Sequence, residues 1–378
     1  MNPTDSLWRR TRSIPIGLDI TWFMIFGLIT WMLAANYFPV EFKGWSVPLY
    51  WFMGAATAVM LFVCVVLHEM GHSAMALHYG IPVKKITLFL FGGVAQTDGE
   101  APSAMAEFWI AMTGPLVSLI LAFLFYEARP FVAGVDPLFA MFKYLAYINL
   151  ALAAFNLMPG YPLDGGRVLR AVLWSFNRNL HKSTVIAANV GRAFGLLLIF
   201  LGVLLMFGGN LSGGLWIAIV GWFLDSAASS QARLEMSQGL LAGHIVSQAM
   251  NHHCAEVSAD LPLQKLVDDQ VLGGGHHCFL VKRGEETVGM LNLHRIKEVP
   301  RSKWAATPAS QAMLSFEKLK PIEPETGLWA ALQQMDREGV HDLPVTRNQH
   351  VIGLLSREDV LTFLRALQEL GGPNVKTA

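Results

Sequence analysis

His68 and His72 stand one helical turn apart in the run His68-Glu69-Met70-Gly71-His72. At that spacing two imidazoles project from one helix face and can seat one divalent ion, while Glu69 beside them can move a proton. The surrounding stretch is apolar, so a carboxylate and two imidazoles there cost on the order of a few kcal/mol unless they pair, ligate or meet water. Zinc meets that demand, but a catalytic zinc takes three protein ligands and keeps a fourth position for water. The third ligand must come from elsewhere. Asp164, in Asn156-Leu157-Met158-Pro159-Gly160-Tyr161-Pro162-Leu163-Asp164-Gly165-Gly166, is the best candidate. Pro159, Pro162 and the glycine pair interrupt a helix, and irregular backbone at membrane depth is tolerated only where protein or a water-filled cavity satisfies it. Read singly, each residue also has a plainer role: the His-Glu-x-x-His pattern occurs by chance on solvated helices, Asp164 can cap a helix, and Asn156 can bond between helices. Cys64, one turn before His68, reads as a buried thiol, and His78 as interfacial.

The elements that carry these residues are membrane spans. Of 378 residues, 53% are hydrophobic and only 15% charged, with a mean hydropathy of +0.42, a composition that excludes an ordinary water-soluble enzyme and a disordered chain. Lys+Arg and Asp+Glu both number 28, which gives no basic excess for nucleic acid. Apolar runs at 20–38, 47–67, 108–126 and 144–163 are long enough to cross, and the uncharged stretch 193–224 splits into two crossings at Gly208-Gly209-Asn210-Leu211-Ser212-Gly213-Gly214. The first run follows Arg9, Arg10 and Arg12 without a small-residue cleavage site and reads as a retained signal-anchor. Lys84 and Lys85, and then Arg167, Arg170, Arg178 and Lys182, mark the cytoplasmic side, against Lys43 and Arg129 outside. Six spans then leave both ends in the cytoplasm. The second and fourth crossings run in the same direction, so His68, His72 and Asp164 reach the same depth.

At these residues the sequence resembles the site-2 protease family of intramembrane zinc metalloproteases. The resemblance rests on His-Glu-x-x-His in the second span, Asn-x-x-Pro-x-x-x-x-Asp-Gly at the fourth and Gly114-Pro115 in the third, and it covers roughly residues 8 to 232. It implies His68, His72 and Asp164 as ligands of one catalytic zinc, Glu69 as general base and then acid, and Asn156 as a polar aid to substrate or transition state. Ser118 departs from the family, which often carries Asn there. The implied substrate is a membrane-anchored protein, cut in or near a transmembrane segment that must first unwind. The stretch Ile86 to Gln96 is apolar and too short to span. It reads as a membrane-dipping hairpin with a central Gly92-Gly93 turn, whose edge can add the unwound substrate as a strand. An inert packing hairpin is the plainer reading.

After Gln231 the composition turns mixed. Ser247-Gln248-Ala249-Met250 recurs as Ser310-Gln311-Ala312-Met313, and Gly289 recurs as Gly353, 64 residues on. Each copy reads helix, strand, strand, helix, and the pair resembles tandem cystathionine-beta-synthase (CBS) domains, the appendage of the six-span branch. The resemblance implies adenine nucleotide (ATP, ADP or AMP) in the cleft between copies and a homodimer through the pair. Ser356 and Asp359 match the ribose-binding position, whereas the first copy has Asn292 and Arg295 there; a helix cap by Ser356 is the alternative. Cys64, Cys254 and Cys278 cannot form a disulfide framework and give no argument for an oxidising compartment. Two His-His-Cys runs, 252–254 and 276–278, tempt a second metal site, but adjacent strand residues point to opposite faces.

The expectation is therefore an α-helical polytopic membrane protein of six transmembrane helices with a C-terminal α/β CBS-pair domain. Its divisions are 1–232 protease, 233–243 linker, 244–300 and 307–370 CBS copies joined by 301–306, and 371–378 tail. The resemblance implies that it sits in the lipid bilayer of the cell membrane and performs regulated intramembrane proteolysis. A CBS-regulated transporter or channel, or a pseudoprotease that binds helices without cutting, are the rival classes.

Overall fold

The computed structural model describes residues 14–370 apart from 90, 91, 98, 253, 316–319 and 349. The Arg9, Arg10, Arg12 cluster, His253 and the 371–378 tail lie outside the described residues. Two compact units divide the chain, Met1–Glu235 and Met236–Ala378.

Among the described residues, six helices are long and apolar enough to cross a membrane: α1 (Ile20–Glu41), α2 (Val47–His78), α3 (Ala104–Ala128), α4 (Asp136–Asn156), α6 (Leu180–Phe207) and α7 (Leu211–Leu241), with a short helix α5 (Asp164–Asn177) between α4 and α6. Local chemistry sets their ends. Asp19 caps α1 by accepting from the Thr21 backbone N–H at 3.0 Å, Ser103 caps α3 by accepting from Ala106, and Pro48 and Pro137 occupy the first turns of α2 and α4, where no N–H partner is lost. The break between α6 and α7 falls at Gly208–Asn210, with Gly209 at φ +90°. At Gly202, an added Cβ would lie 2.6 Å from Gly214 O and Ala218 N, so small residues let the α6 and α7 backbones touch where no hydrophobic drive separates helix from lipid.

Several boundaries differ from the sequence expectation, among them the fifth and sixth spans, expected within 193–224 but running Leu180–Phe207 and Leu211–Leu241. The second span continues past the histidines to His78, so His68 and His72 lie within it. At roughly 1.5 Å per residue, a helix of this length exceeds the hydrocarbon thickness. The fourth span runs Asp136–Asn156 and not 144–163. Pro137 starts it early, and the run with Pro159 and Pro162 ends it, so Asp164 opens a separate helix. The Gly92-Gly93 pair is not a turn: it belongs to strand β3 (Gly92–Thr97), which pairs antiparallel with β2 (Val83–Phe89), Leu88 opposite Gly93. The connection at 90–91 lies outside the described residues. Strand β1 (Ile16–Leu18) adds parallel to β2, giving the order β1-β2-β3 with β3 at an edge.

The second unit is a mixed α/β module. β4 (Ala255–Ser258), β5 (Cys278–Arg283), β6 (Glu286–Asn292) and β7 (Leu314–Ser315) form one sheet in that order, and α8 (Leu293–Glu298) follows β6. After α9 (Leu328–Glu338), β8 (Asp342–Arg347) and β9 (His350–Ser356) form a hairpin closed by α10 (Arg357–Glu369). The copies exchange strands: Leu314 pairs with Met290 of β6, and at the equivalent place Asn251 pairs with Leu354 of β9. Two cores result, each completed by the other copy: one around Leu263, Phe279 and Leu291 takes in Ala309 and Ala312, and the other around Leu328, Leu343 and Leu355 takes in Val246 and Met250. Cys254 and Cys278 form a disulfide, against the expectation from cysteine count alone. The register explains it: β4 and β5 run parallel with Ala255 opposite Phe279, so Cys254, just before β4, and Cys278, the first residue of β5, are neighbours.

Candidate metal centre

The second span brings His68 and His72 to one buried face. Asp164 meets them from the first turn of α5. Its oxygen Oδ2 lies 3.1 Å from His68 Nε2 and 3.2 Å from His72 Nε2, and the two Nε2 atoms are 3.2 Å apart. For bonds of about 2.0–2.1 Å, donors around one tetrahedral ion sit about 3.3 Å apart, so this triangle fits a single zinc. Among the described residues, these three form the group whose donor atoms converge in this way. Gly114 makes room for it: a Cβ there would stand 2.1 Å from His72 Nε2 and 2.7 Å from His68 Nε2. Leu163, not Asp164, occupies the N-cap of α5, which leaves the Asp164 carboxylate to the imidazoles. Burial alone would raise the Asp164 carboxyl, but His72 and His68 beside it hold it well below the usual carboxylate range.

Each imidazole is oriented through its other nitrogen. His72 Nδ1–H donates to the Ile110 carbonyl at 2.7 Å, which fixes the tautomer with its Nε2 lone pair toward the centre. His68 Nδ1 lies 2.8 Å from Ser118 Oγ. Neither partner was legible as one in the sequence: Ile110 acts through its backbone, and Ser118 stood out only as a departure from the family's Asn.

Glu69 and Asn156 border a cavity of about 630 Å³ with His68 and Asp164. Its walls come from β3 at Gly93, from Phe155 at the end of α4, and from Trp216, Val220 and Leu224 on α7. The part taken by α7 was not foreseen, because an uninterrupted apolar helix carries no sequence mark of which face meets a cavity. The carboxylate of Glu69 accepts a hydrogen bond from the Ala95 backbone N–H on β3, and a Cβ on Gly93 would stand 2.5 Å from Glu69 Cγ. The edge strand therefore passes directly over this carboxylate. A second ionic group missed from sequence lies beneath Asp164, where Glu107 of α3 pairs with Arg167 and Arg170 of α5. Burial would depress the Arg167 guanidinium, but Glu107 beside it more than offsets this and raises it.

In the second unit a cavity of about 490 Å³ is bordered by Ser356, Asp359, Asn292, Asp342 and His277. Ser356 and Asp359 also cap α10 reciprocally: Asp359 Oδ2 accepts from Ser356 N at 2.9 Å, and Ser356 Oγ accepts from Asp359 N at 3.1 Å. Asn292 caps α8 and donates to Asp342 Oδ1 at 2.7 Å. The two equivalent positions are thus not chemically alike.

Comparison with known proteins matches peptidase family M50 over residues 56–135 and 132–200 and a CBS domain over 314–366. A relative from Synechocystis sp. named as a zinc metalloprotease is 33% identical over 355 residues, covering 93% of each chain. The Rip3 zinc metalloprotease relative from Mycobacterium tuberculosis is 33% identical over 365 residues, again 93% of each. The solved site-2 protease of Methanocaldococcus jannaschii is 34% identical, covers 58% of this chain and 91% of that one, and superposes with a TM-score of 0.43. With relatives matched along nearly their whole length and the donor triangle in place, the chain belongs to peptidase family M50: it is a multi-pass membrane zinc metalloprotease, like site-2 protease, that carries a CBS domain.

Proposed function

We propose that the protein hydrolyses peptide bonds in or near transmembrane segments of membrane-anchored proteins, with His68, His72 and Asp164 holding the zinc. The observation that carries this reading is the convergence of the three donors, at 3.1–3.2 Å, beside a cavity that also presents Glu69 and Asn156. Zinc held there supplies Lewis acidity, which acidifies water toward a pKa of about 7 and polarises a carbonyl. Glu69 takes a proton from the attacking water and returns one to the leaving amide nitrogen as the C–N bond breaks, without an acyl-enzyme. Asn156 offers a hydrogen bond to the substrate carbonyl as charge develops on its oxygen.

A transmembrane helix buries its own amides in intrahelical hydrogen bonds, so the scissile segment must unwind before it enters. The exposed edge of β3, running over Glu69, suits such a segment as an added strand. The CBS unit is proposed to bind an adenine nucleotide in the 490 Å³ cavity, to dimerise, and to face the cytoplasm with both chain ends. The test is Glu69→Gln in cells, read by membrane proteomics. Zinc stays bound, turnover falls by about 10²–10⁴-fold, and uncut single-span proteins accumulate. A variant that still cuts at the wild-type rate would remove Glu69 from the reaction.

A further inference from the structure

The face of α3 that carries Gly114 also carries the groups that aim the three donors. Ser118 Oγ meets His68 Nδ1, and the Ile110 carbonyl meets His72 Nδ1. One turn before Ile110 on the same face is Glu107, whose side chain is 1% exposed. Its Oε1 accepts from Arg167 Nε at 3.0 Å and from Arg170 Nη2, and its Oε2 lies 3.5 Å from Arg167 Nη2. Arg167 and Arg170 sit one and two turns beyond Asp164 on α5. The Arg170 guanidinium also lies over the Tyr161 ring at 5.6 Å, gripping the loop that delivers Asp164.

Glycines remove the slack between that loop and the helix. A Cβ on Gly165 would lie 2.3 Å from Leu157 O, and one on Gly166 2.3 Å from Gly160 C. The first turn of α5 and its entry loop thus pack backbone against backbone, and the ion pairs join α5 to α3. A carboxylate so buried is expensive unless matched by cations, and removing one member of the group leaves an uncompensated charge.

We infer that Glu107 is a positioning residue: through Arg167 and Arg170 it locks α5 onto α3 and so sets the Asp164 carboxylate against the two imidazoles. The inference rests on the ligand set of the preceding section. Ser118, Ile110 and Glu107 then make α3 the single rail from which all three donors are placed, although α3 contributes no donor itself.

The experiment measures zinc affinity by chelator competition, and the visible spectrum of the Co²⁺-loaded form, on the full chain in lipid nanodiscs. Glu107→Gln should weaken zinc binding by about 10–100-fold, as loss of an outer-shell partner does, and shift the Co²⁺ bands. Glu107→Asp, which keeps the charge, should recover much of both. If Glu107→Gln does not fold, Arg170→Gln keeps the Glu107–Arg167 pair and should show the same changes in smaller measure. A merely structural role would lower the melting temperature and leave the Co²⁺ bands and zinc affinity of the folded variants unchanged. That result, with Asp164→Asn weakening zinc, overturns the inference alone. Unchanged zinc affinity in Asp164→Asn overturns the ligand set and this inference with it.

Discussion

At the scale of single residues, the centre depends as much on what is missing as on what is present. Gly114 faces the two Nε2 atoms, and the 2.1 Å and 2.7 Å approaches of an added Cβ cannot be relieved by a flexible tip, because both imidazoles are anchored through Nδ1. Gly114→Ala should therefore abolish stoichiometric zinc in the purified protein, measured by metal analysis, while the helical circular dichroism stays unchanged. Full zinc occupancy would mean that the imidazoles lie elsewhere. Ser118→Ala probes the other side of His68. Loss of one outer-shell bond costs about 10–100-fold in metal affinity or activity, or about 1.4–2.7 kcal/mol, and chelator competition reads it directly. Ser118→Asn, which restores a hydrogen-bonding side chain of the family's usual type, should lose less than Ser118→Ala. Equal loss in the two variants would show that the site needs the small volume of serine and not its hydrogen bond.

At the scale of elements, the relation between β3 and α2 decides how a substrate meets the base. Gly93 lets the strand lie against Glu69, and a Cβ there would press on Glu69 Cγ. Gly93→Ala should lower kcat with zinc affinity unchanged, since His68, His72 and Asp164 are not moved. Loss of zinc in that variant would tie β3 to the ligands instead. This strand also marks how far the sequence could be read. The convergence of His68, His72 and Asp164 was legible because HExxH and Asn-x-x-Pro-x-x-x-x-Asp-Gly are local patterns with fixed spacing, and the spans because length and hydropathy speak for themselves. Legibility stopped where tertiary contact decides. The Gly92-Gly93 pair resembles a turn in isolation, yet pairing with Phe89 and Leu88 makes it strand. The parallel addition of β1, three residues long, has no periodicity to detect. Glu107 carries no local mark of its pairing, since its partners stand 60 and 63 positions away. The Cys254–Cys278 bond follows from a parallel register that no count of cysteines contains.

At the scale of the whole molecule, the nucleotide site proposed for the CBS unit raises the question of whether one copy or both could form it. A symmetric pair would offer two equivalent sites, but the copies have diverged at the position of the proposed ribose contact, Asp359 in one and Arg295 in the other. Asp359 is a carboxylate whose Oδ2 serves the cap of α10, leaving Oδ1 outside that cap. Its counterpart is Arg295, and Asn292 is engaged with both the Arg295 N–H and Asp342. A ribose needs an acceptor for its hydroxyls, which a guanidinium cannot supply. Calorimetric titration of the full chain with ATP, ADP and AMP separately should therefore give one site per chain for the nucleotide that binds. At a hundredfold excess over Kd, binding stabilises the unit by about 2.7 kcal/mol, which a thermal melt resolves. Asp359→Ala removes both the cap and the acceptor, so its own melting point falls, by about 0.5–2 kcal/mol if it matches loss of a cap. The decisive quantity is thus the ligand-induced rise within each variant and not the absolute temperature. That rise should vanish in Asp359→Ala and persist in Arg295→Ala. Two sites per chain, or an undiminished rise without Asp359, would move the ligand to the first copy; no rise with any of the three nucleotides would leave Ser356 and Asp359 as a helix cap alone.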